Sequence, residues 1–218
     1  MSALIGIGVI VLVVGVIAYF MLTSPTPPSN ALAIVPGSQR GSQEVTVPYK
    51  LPLSFNQSEG IVFAYTGWLL VKDYSVGYGE RRRIFSKGDA PGLYIDSTSN
   101  SLMFAVKTYG TTETILIPDV PAQKWVHFAI VVNQQAVDIY INGMLRQHHT
   151  LGQLPDQTDE PVKMGGGWDG VLARLVYHNV SMSPDEIRKL AQEQPPDDLT
   201  PNPSKPNYFD ITWYIGRL

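Results

Sequence analysis

No cysteine occurs among the 218 residues, and only four are histidine. A disulfide framework is therefore excluded, thiolate metal sites go with it, and a dedicated transition-metal site has few ligands to draw on. Charge is sparse too: 16 Lys and Arg stand against 19 Asp and Glu, for a net charge of −3. That balance supplies no basic field to hold nucleic acid. From residue 3 to residue 22 charge is missing altogether, in the run ALIGIGVIVLVVGVIAYFML.

At ~1.5 Å per residue, such a helix covers the ~30 Å hydrocarbon core of a bilayer while satisfying its own backbone. A cleaved secretory signal would instead show a basic start, an apolar run of about 7–15 residues and a small-residue cleavage site. No Lys or Arg precedes this run, and AYFMLTSPTPPS offers no small-x-small cut. Residues 1–22 therefore read as a transmembrane anchor, with Tyr19 and Phe20 at its interfacial edge. Gly8 and Gly15 share a helical face that would admit a neighbouring helix, although glycine is common in such spans. Arg40 and Lys50 follow the span and nothing basic precedes it. The positive-inside tendency then places the C-terminal part in the cytosol, as the absence of cysteine also suggests. The N-x-S sequons at Asn56 and Asn179 would matter only on export.

Residues 23–43 are rich in Pro, Ser and Gly without a sustained period, and read as an extended stalk. Residues 44–194 read as one domain of strands closed by a short helix. IVFAYTGWLLV, LMFAVKTY, TILI, WVHFAIVV, VDIYIN and GVLARLVY are rich in β-branched and aromatic residues, with turn residues between them. In VDIYI, Val137, Ile139 and Ile141 share one face and Asp138 and Tyr140 the other. WVHFAIVV is apolar on both faces, which predicts a central strand covered on each side. Asn142-Gly143 suits a tight hairpin turn. Ser183-Pro184-Asp185-Glu186 has the pattern of a helix cap, followed by an apolar stripe of Ile187, Leu190 and Ala191 that should end before Pro195-Pro196.

Residues 195–218 form a Pro-rich linker and an aromatic tail. Tyr208, Phe209, Ile211, Trp213, Tyr214 and Ile215 make that tail too apolar to stay in water, so it should pack on its own domain or on a partner. Arg81, Arg82 and Arg83 are the one local cationic cluster, a second candidate contact for phosphate head groups or an acidic partner, or else a solvated strand end.

The ordered pieces YTGW, IFSKGDAPGLYID, SLMFAV, KWVHFAIVV, VDIYINGML and GGGWDGVLARLVYHNVSMSPDEI resemble the laminin-G-like branch of the concanavalin A-like lectin/glucanase superfamily. The resemblance implies an all-β jelly-roll sandwich of two antiparallel sheets. The wording SFNQSEG, HHTLGQLP and GGWDG is similar, more narrowly, to membrane-anchored minor capsid proteins of large icosahedral DNA viruses. That similarity implies a non-enzymatic structural protein of the virion. It would sit in the inner membrane beneath the capsid, with its C-terminal domain facing the shell and its partners being lipid, through residues 3–22, and capsid or other membrane-associated proteins. The broader family implies an alternative, a membrane-displayed carbohydrate-binding or adhesion module with a glycan partner.

Hydrolysis on this fold needs two carboxylates about 5–5.5 Å apart in a retaining enzyme. No E-x-D-x-E pattern occurs, and Asp159-Glu160 and Asp197-Asp198 lie in Pro-flanked loops, so no catalytic residue is assigned. His148 and His149 are adjacent on an extended segment and should point to opposite faces. His127 reads as a hydrogen-bonded core imidazole. No cofactor is expected apart from calcium, which many relatives hold at the sandwich rim; Asp89 and Asp169 are the candidate ligands. Ala173-Arg174 stands where the family often has an acidic pair, which weakens that inference. Trp168, between glycines, reads as a sandwich-closing residue, with a sugar-stacking platform as the alternative.

Overall fold

The computed structural model describes residues 30–54 and 61–196. These build two six-stranded antiparallel sheets and one short helix. In the first sheet, β1 (Ala31–Arg40) is followed in space by β12 (Asp169–His178), β3 (Val62–Asp73), β8 (Trp125–Asn133), β9 (Ala136–Ile141) and β10 (Met144–Thr150). The second runs β2 (Val45–Thr46), β11 (Val162–Met164), β4 (Arg82–Lys87), β5 (Gly92–Ile95), β6 (Leu102–Lys107) and β7 (Thr112–Ile117). Helix α1 spans Pro184–Ala191.

Alternation along the strands makes the core. Val137 and Ile139 face inward from β9, joining Phe63, Tyr65, Phe85, Phe104, Phe128 and Ile130 in one buried cluster between the sheets. Phe85 and Phe128 stack across the sandwich with ring centroids 6.2 Å apart. The other face of β8 explains its apolar continuity, because Ala129 and Val131 pack with Ala64, Tyr140 and Ile187 under the helix. That helix starts where its cap predicts. The Ser183 hydroxyl accepts from the Glu186 backbone N–H, while the Glu186 carboxylate accepts from the Ser183 N–H at 2.8 Å.

One boundary needs correcting. The stalk expected over residues 23–43 gives way at Ala31 to strand β1, which pairs along β12 from Ala31↔His178 to Arg40↔Val171. Pro36 and Gly37 disguise it in sequence, and the ladder accommodates them at register shifts between Val35 and Ser38. Tertiary pairing, not local propensity, makes this strand.

Among the described residues no helix is long and apolar enough to cross a membrane. The 3–22 span, Asn56, and the tail residues Tyr208, Phe209, Ile211, Trp213, Tyr214 and Ile215 lie outside the described residues.

Candidate binding site

The three consecutive arginines do not form one cationic surface. Arg81 lies over the Tyr94 ring, 4.1 Å from its centroid, and Arg83 pairs with Glu44 at 2.9 Å. Arg82 alternates with them, shares the inward side with Ile84, and is only 2% exposed. Its Nη1 donates to the carbonyls of Tyr74 at 2.6 Å and Val76 at 2.8 Å, and its Nη2 donates to the carbonyl of Asp96. Burial lowers its pKa, with Asp96 and Tyr74 acting in the opposite sense. Expected as a partner-binding residue, Arg82 is instead an internal staple.

What it staples is a pair of loops at the sandwich rim. The loop after β3 turns at Gly77 and Gly79, whose φ values of 68° and 91° lie in the left-handed region. The Asp73 carboxylate accepts from the Ser75 N–H at 2.7 Å, and the Gly79 N–H donates to the Ser97 carbonyl at 2.8 Å. In the facing turn, the Asp96 carboxylate accepts from the Ser99 hydroxyl at 2.8 Å and the Thr98 N–H at 3.2 Å, which together hold its pKa down. Between the two loops opens a cavity of about 290 Å³, lined by Tyr74, Ser75, Tyr78, Thr98, Ser99 and Asn100. Tyr78 stands at its edge, 65% exposed.

This chemistry suits a small hydroxylated ligand. The exposed Tyr78 ring offers an apolar face; the hydroxyls of Tyr74, Thr98 and Ser99 donate inward to the Val120 carbonyl and the Asp96 carboxylate and keep only acceptor lone pairs, while the Tyr78 hydroxyl and the Asn100 amide add polar edges. No Lys or Arg lines the cavity. The volume lies just below the usual range for drug-sized ligands. Tyr78 was not singled out from sequence, although an aromatic residue between two glycines in SVGYGE, away from any strand, is the available signal.

The other expected positions separate. Trp168 is 1% exposed and its indole N–H donates to the Arg83 carbonyl at 2.8 Å, so it closes the sandwich and offers no stacking face. Asp169 begins β12 opposite Asp73, next to Trp168 and the Arg83 end of β4. Asp89 lies past the other end of β4, where its carbonyl accepts from the Tyr94 hydroxyl. The two proposed calcium ligands therefore do not converge, and the described residues contain no cluster of three His, Asp or Glu suited to a metal. His148 and His149 do face opposite ways. His148 pairs with Asp138 at 2.6 Å on its own sheet, and His149 reaches Glu113 of β7 in the other at 3.0 Å.

His127 is buried against Trp68, but its Nδ1 has no hydrogen-bond partner, unlike the satisfied imidazole expected. Burial pushes its pKa down from 6.5 to about 4. Between those values an unfolded chain takes up a proton that the folded ring refuses. Stability should therefore fall as pH drops from 6.5 toward about 4, by about 3 kcal/mol in all, and this contribution should level off below. Urea denaturation at several pH values checks this; an H127F chain should lose the share of that slope due to this ring and keep the share that half-buried His178, also lowered by burial, contributes in the same direction.

Four carboxylates among the described residues have displaced pKa values. Asp73, Asp96, Glu113 and Glu186 are all lowered, chiefly by hydrogen bonds they accept. A glycosidase acid needs the opposite shift.

In comparisons with known proteins, the sequence model of the concanavalin A-like lectin/glucanases superfamily matches residues 39–188. Among curated proteins none matches the chain significantly. Solved structures with the same fold include the receptor binding domain of botulinum neurotoxin D, with a TM-score of 0.57, 11% identity, and coverage of 74% of this chain and 47% of that one. The binding domain of Paraclostridial Mosquitocidal Protein 1 gives a TM-score of 0.54 at 16% identity, covering 75% and 45%. The botulinum neurotoxin serotype D ligand binding domain in complex with N-acetylneuraminic acid gives 0.58 at 13%, covering 75% and 46%. This chain spans less than half the length of each of these structures, and at such identities the likeness is one of fold.

Proposed function

The chain belongs to the concanavalin A-like lectin/glucanase superfamily, and we propose that it is a non-catalytic glycan-recognition module held at a membrane surface. The observation that carries this reading is the rim cavity of about 290 Å³ with Tyr78 exposed at its edge and hydroxyl and amide side chains around it. A structural neighbour solved with N-acetylneuraminic acid supports a sugar as the class of ligand. The absence of a cation from the cavity lining favours a neutral sugar over an acidic one in this chain. The membrane tether rests on the uncharged residues 3–22.

A glycan array probed with the full chain in lipid nanodiscs tests this. Retention of neutral glycans is expected, with Y78A weakening binding tenfold or more, about 1.4 kcal/mol. Equal binding by Y78A, or no retained glycan, contradicts the reading.

A second reading keeps the structural role: a minor capsid protein bridging a viral inner membrane and the shell through protein contacts. Its support is the sequence resemblance, together with the exposed apolar residues Leu116, Met144 and Leu145 on one side of the sandwich. The glycan reading ranks first because its site is built from residues already held in place.

A further inference from the structure

We propose that this chain binds a small carboxylate in a second cavity, on the outer face of the first sheet, where Arg174 and His127 supply the donors. The cavity has a volume of about 100 Å³ and lies where β3, β8 and β12 pass beside the end of helix α1. Trp68 comes from β3, His127 from β8, Arg174 and Val176 from β12, and Leu190 from the helix, with Glu193 just beyond it. An apolar cavity of roughly 150 Å³ takes up benzene, so this one suits a guest of a few heavy atoms. It is remote from the rim: Trp68 stands ~17 Å along β3 from Asp73.

Two features set this cavity apart from a packing gap. The first is Arg174. Strict alternation from Leu172, a core residue, would turn position 174 inward. Instead the register of β12 on β3 shifts between Ala173 and Val176, and Arg174 takes a φ of 46°, in the left-handed region that few side chains adopt. That bulge lifts the guanidinium out over the sheet, where its Nη1 meets the Glu193 carboxylate at 3.4 Å and the Gln194 carbonyl at 3.2 Å. Both contacts are long for a charged donor, so the guanidinium is loosely held and open to a better acceptor. The second is His127. Its ring is 2% exposed and stands edge-on to Trp68, with centroids 5.2 Å apart. Neither ring nitrogen has a hydrogen-bond partner among the described residues. A buried polar group left in that state calls for a partner that the chain itself does not supply.

A carboxylate fits these groups better than other anions do. Burial keeps the imidazole neutral at pH 7, so one of its nitrogens carries an N–H. That N–H and the guanidinium match the two oxygens of a carboxylate, while Val176, Leu190 and Trp68 offer apolar surface to a short hydrocarbon tail. A phosphate dianion would face Glu193 with a single cation to offset it. The bound carboxylate takes the place of Glu193 on Arg174.

The test titrates the isotope-labelled full chain in lipid nanodiscs with butyrate, followed by amide shifts, with butyramide as the neutral control. Saturable shifts around residues 66–68, 127 and 174–176 are expected from butyrate, with butyramide at least tenfold weaker. R174Q should weaken butyrate binding tenfold or more, and H127F several-fold. E193Q, which frees the guanidinium and removes a competing anion, should tighten it several-fold, whereas a merely structural ion pair would give no gain. Glucuronate acting at the same residues assigns the carboxylate to a sugar acid, and butyrate alone assigns it to a short-chain acid. Equal binding of butyramide, no saturable shift with either acid, or E193Q binding no tighter than the unmodified chain overturns the proposal. None of these outcomes depends on glycan binding at the rim cavity.

Discussion

Replacing Arg82 with methionine should destabilise the domain by about 3–5 kcal/mol and abolish binding at the rim cavity. Methionine keeps much of the apolar stem, so the loss is chiefly one of hydrogen bonds. Three carbonyls, of Tyr74, Val76 and Asp96, would lose their donor. Each buried acceptor left without a partner costs about 1–3 kcal/mol, and partial access of water to the opened loops limits the sum. For a domain of this size that corresponds to a fall of ~10 °C in Tm, read by a thermal melt. R82K should recover only part of the loss, because an ammonium cannot serve three diverging carbonyls as a planar fork does. A loss below about 1 kcal/mol would show that the two loops hold themselves, and would remove the staple from this account.

The second large effect belongs to Trp168. W168A should cost about 3–5 kcal/mol, from the cavity left behind and from the orphaned Arg83 carbonyl. The indole lies flat against Gly41, where any Cβ would run into the ring, so no neighbour stands ready to collapse into the space. In urea denaturation the midpoint should fall with the slope unchanged. W168F should be milder. Either variant, kept well below its melting temperature, should still bind ligand, since a buried ring takes no part in recognition. Loss of binding in a folded W168F chain would return Trp168 to the site.

Much of the sandwich can be read from the sequence because its signals are local. Val137, Ile139 and Ile141 declare their shared face by period alone, and Ser183 with Glu186 declares the helix start by cap chemistry. The fully apolar β8 announces cover on both sides, and the helix supplies the second cover. The misreadings share one origin. Strand β1 looks like linker because Pro36 and Gly37 have linker composition, and only pairing with β12 makes it a strand. Once β1 is missed, Gly41 is missed as the surface on which Trp168 rests. Two aromatics next to glycine, Tyr78 in VGYGE and Trp168 in GGWDG, then look alike in sequence while one is exposed and the other buried. Arg82 was within reach of sequence reasoning: it stands two residues from Ile84, and strand period turns both to the inside while Arg81 and Arg83 face out.

Titration of the isotope-labelled chain with a bound neutral oligosaccharide, followed by amide chemical shifts and by release of new reducing ends, tests the central claim most directly. The account predicts saturable shifts confined to residues 74–80 and 96–100, with the sugar recovered uncut. Shifts centred elsewhere on the sandwich, or cleavage of the oligosaccharide, would contradict it.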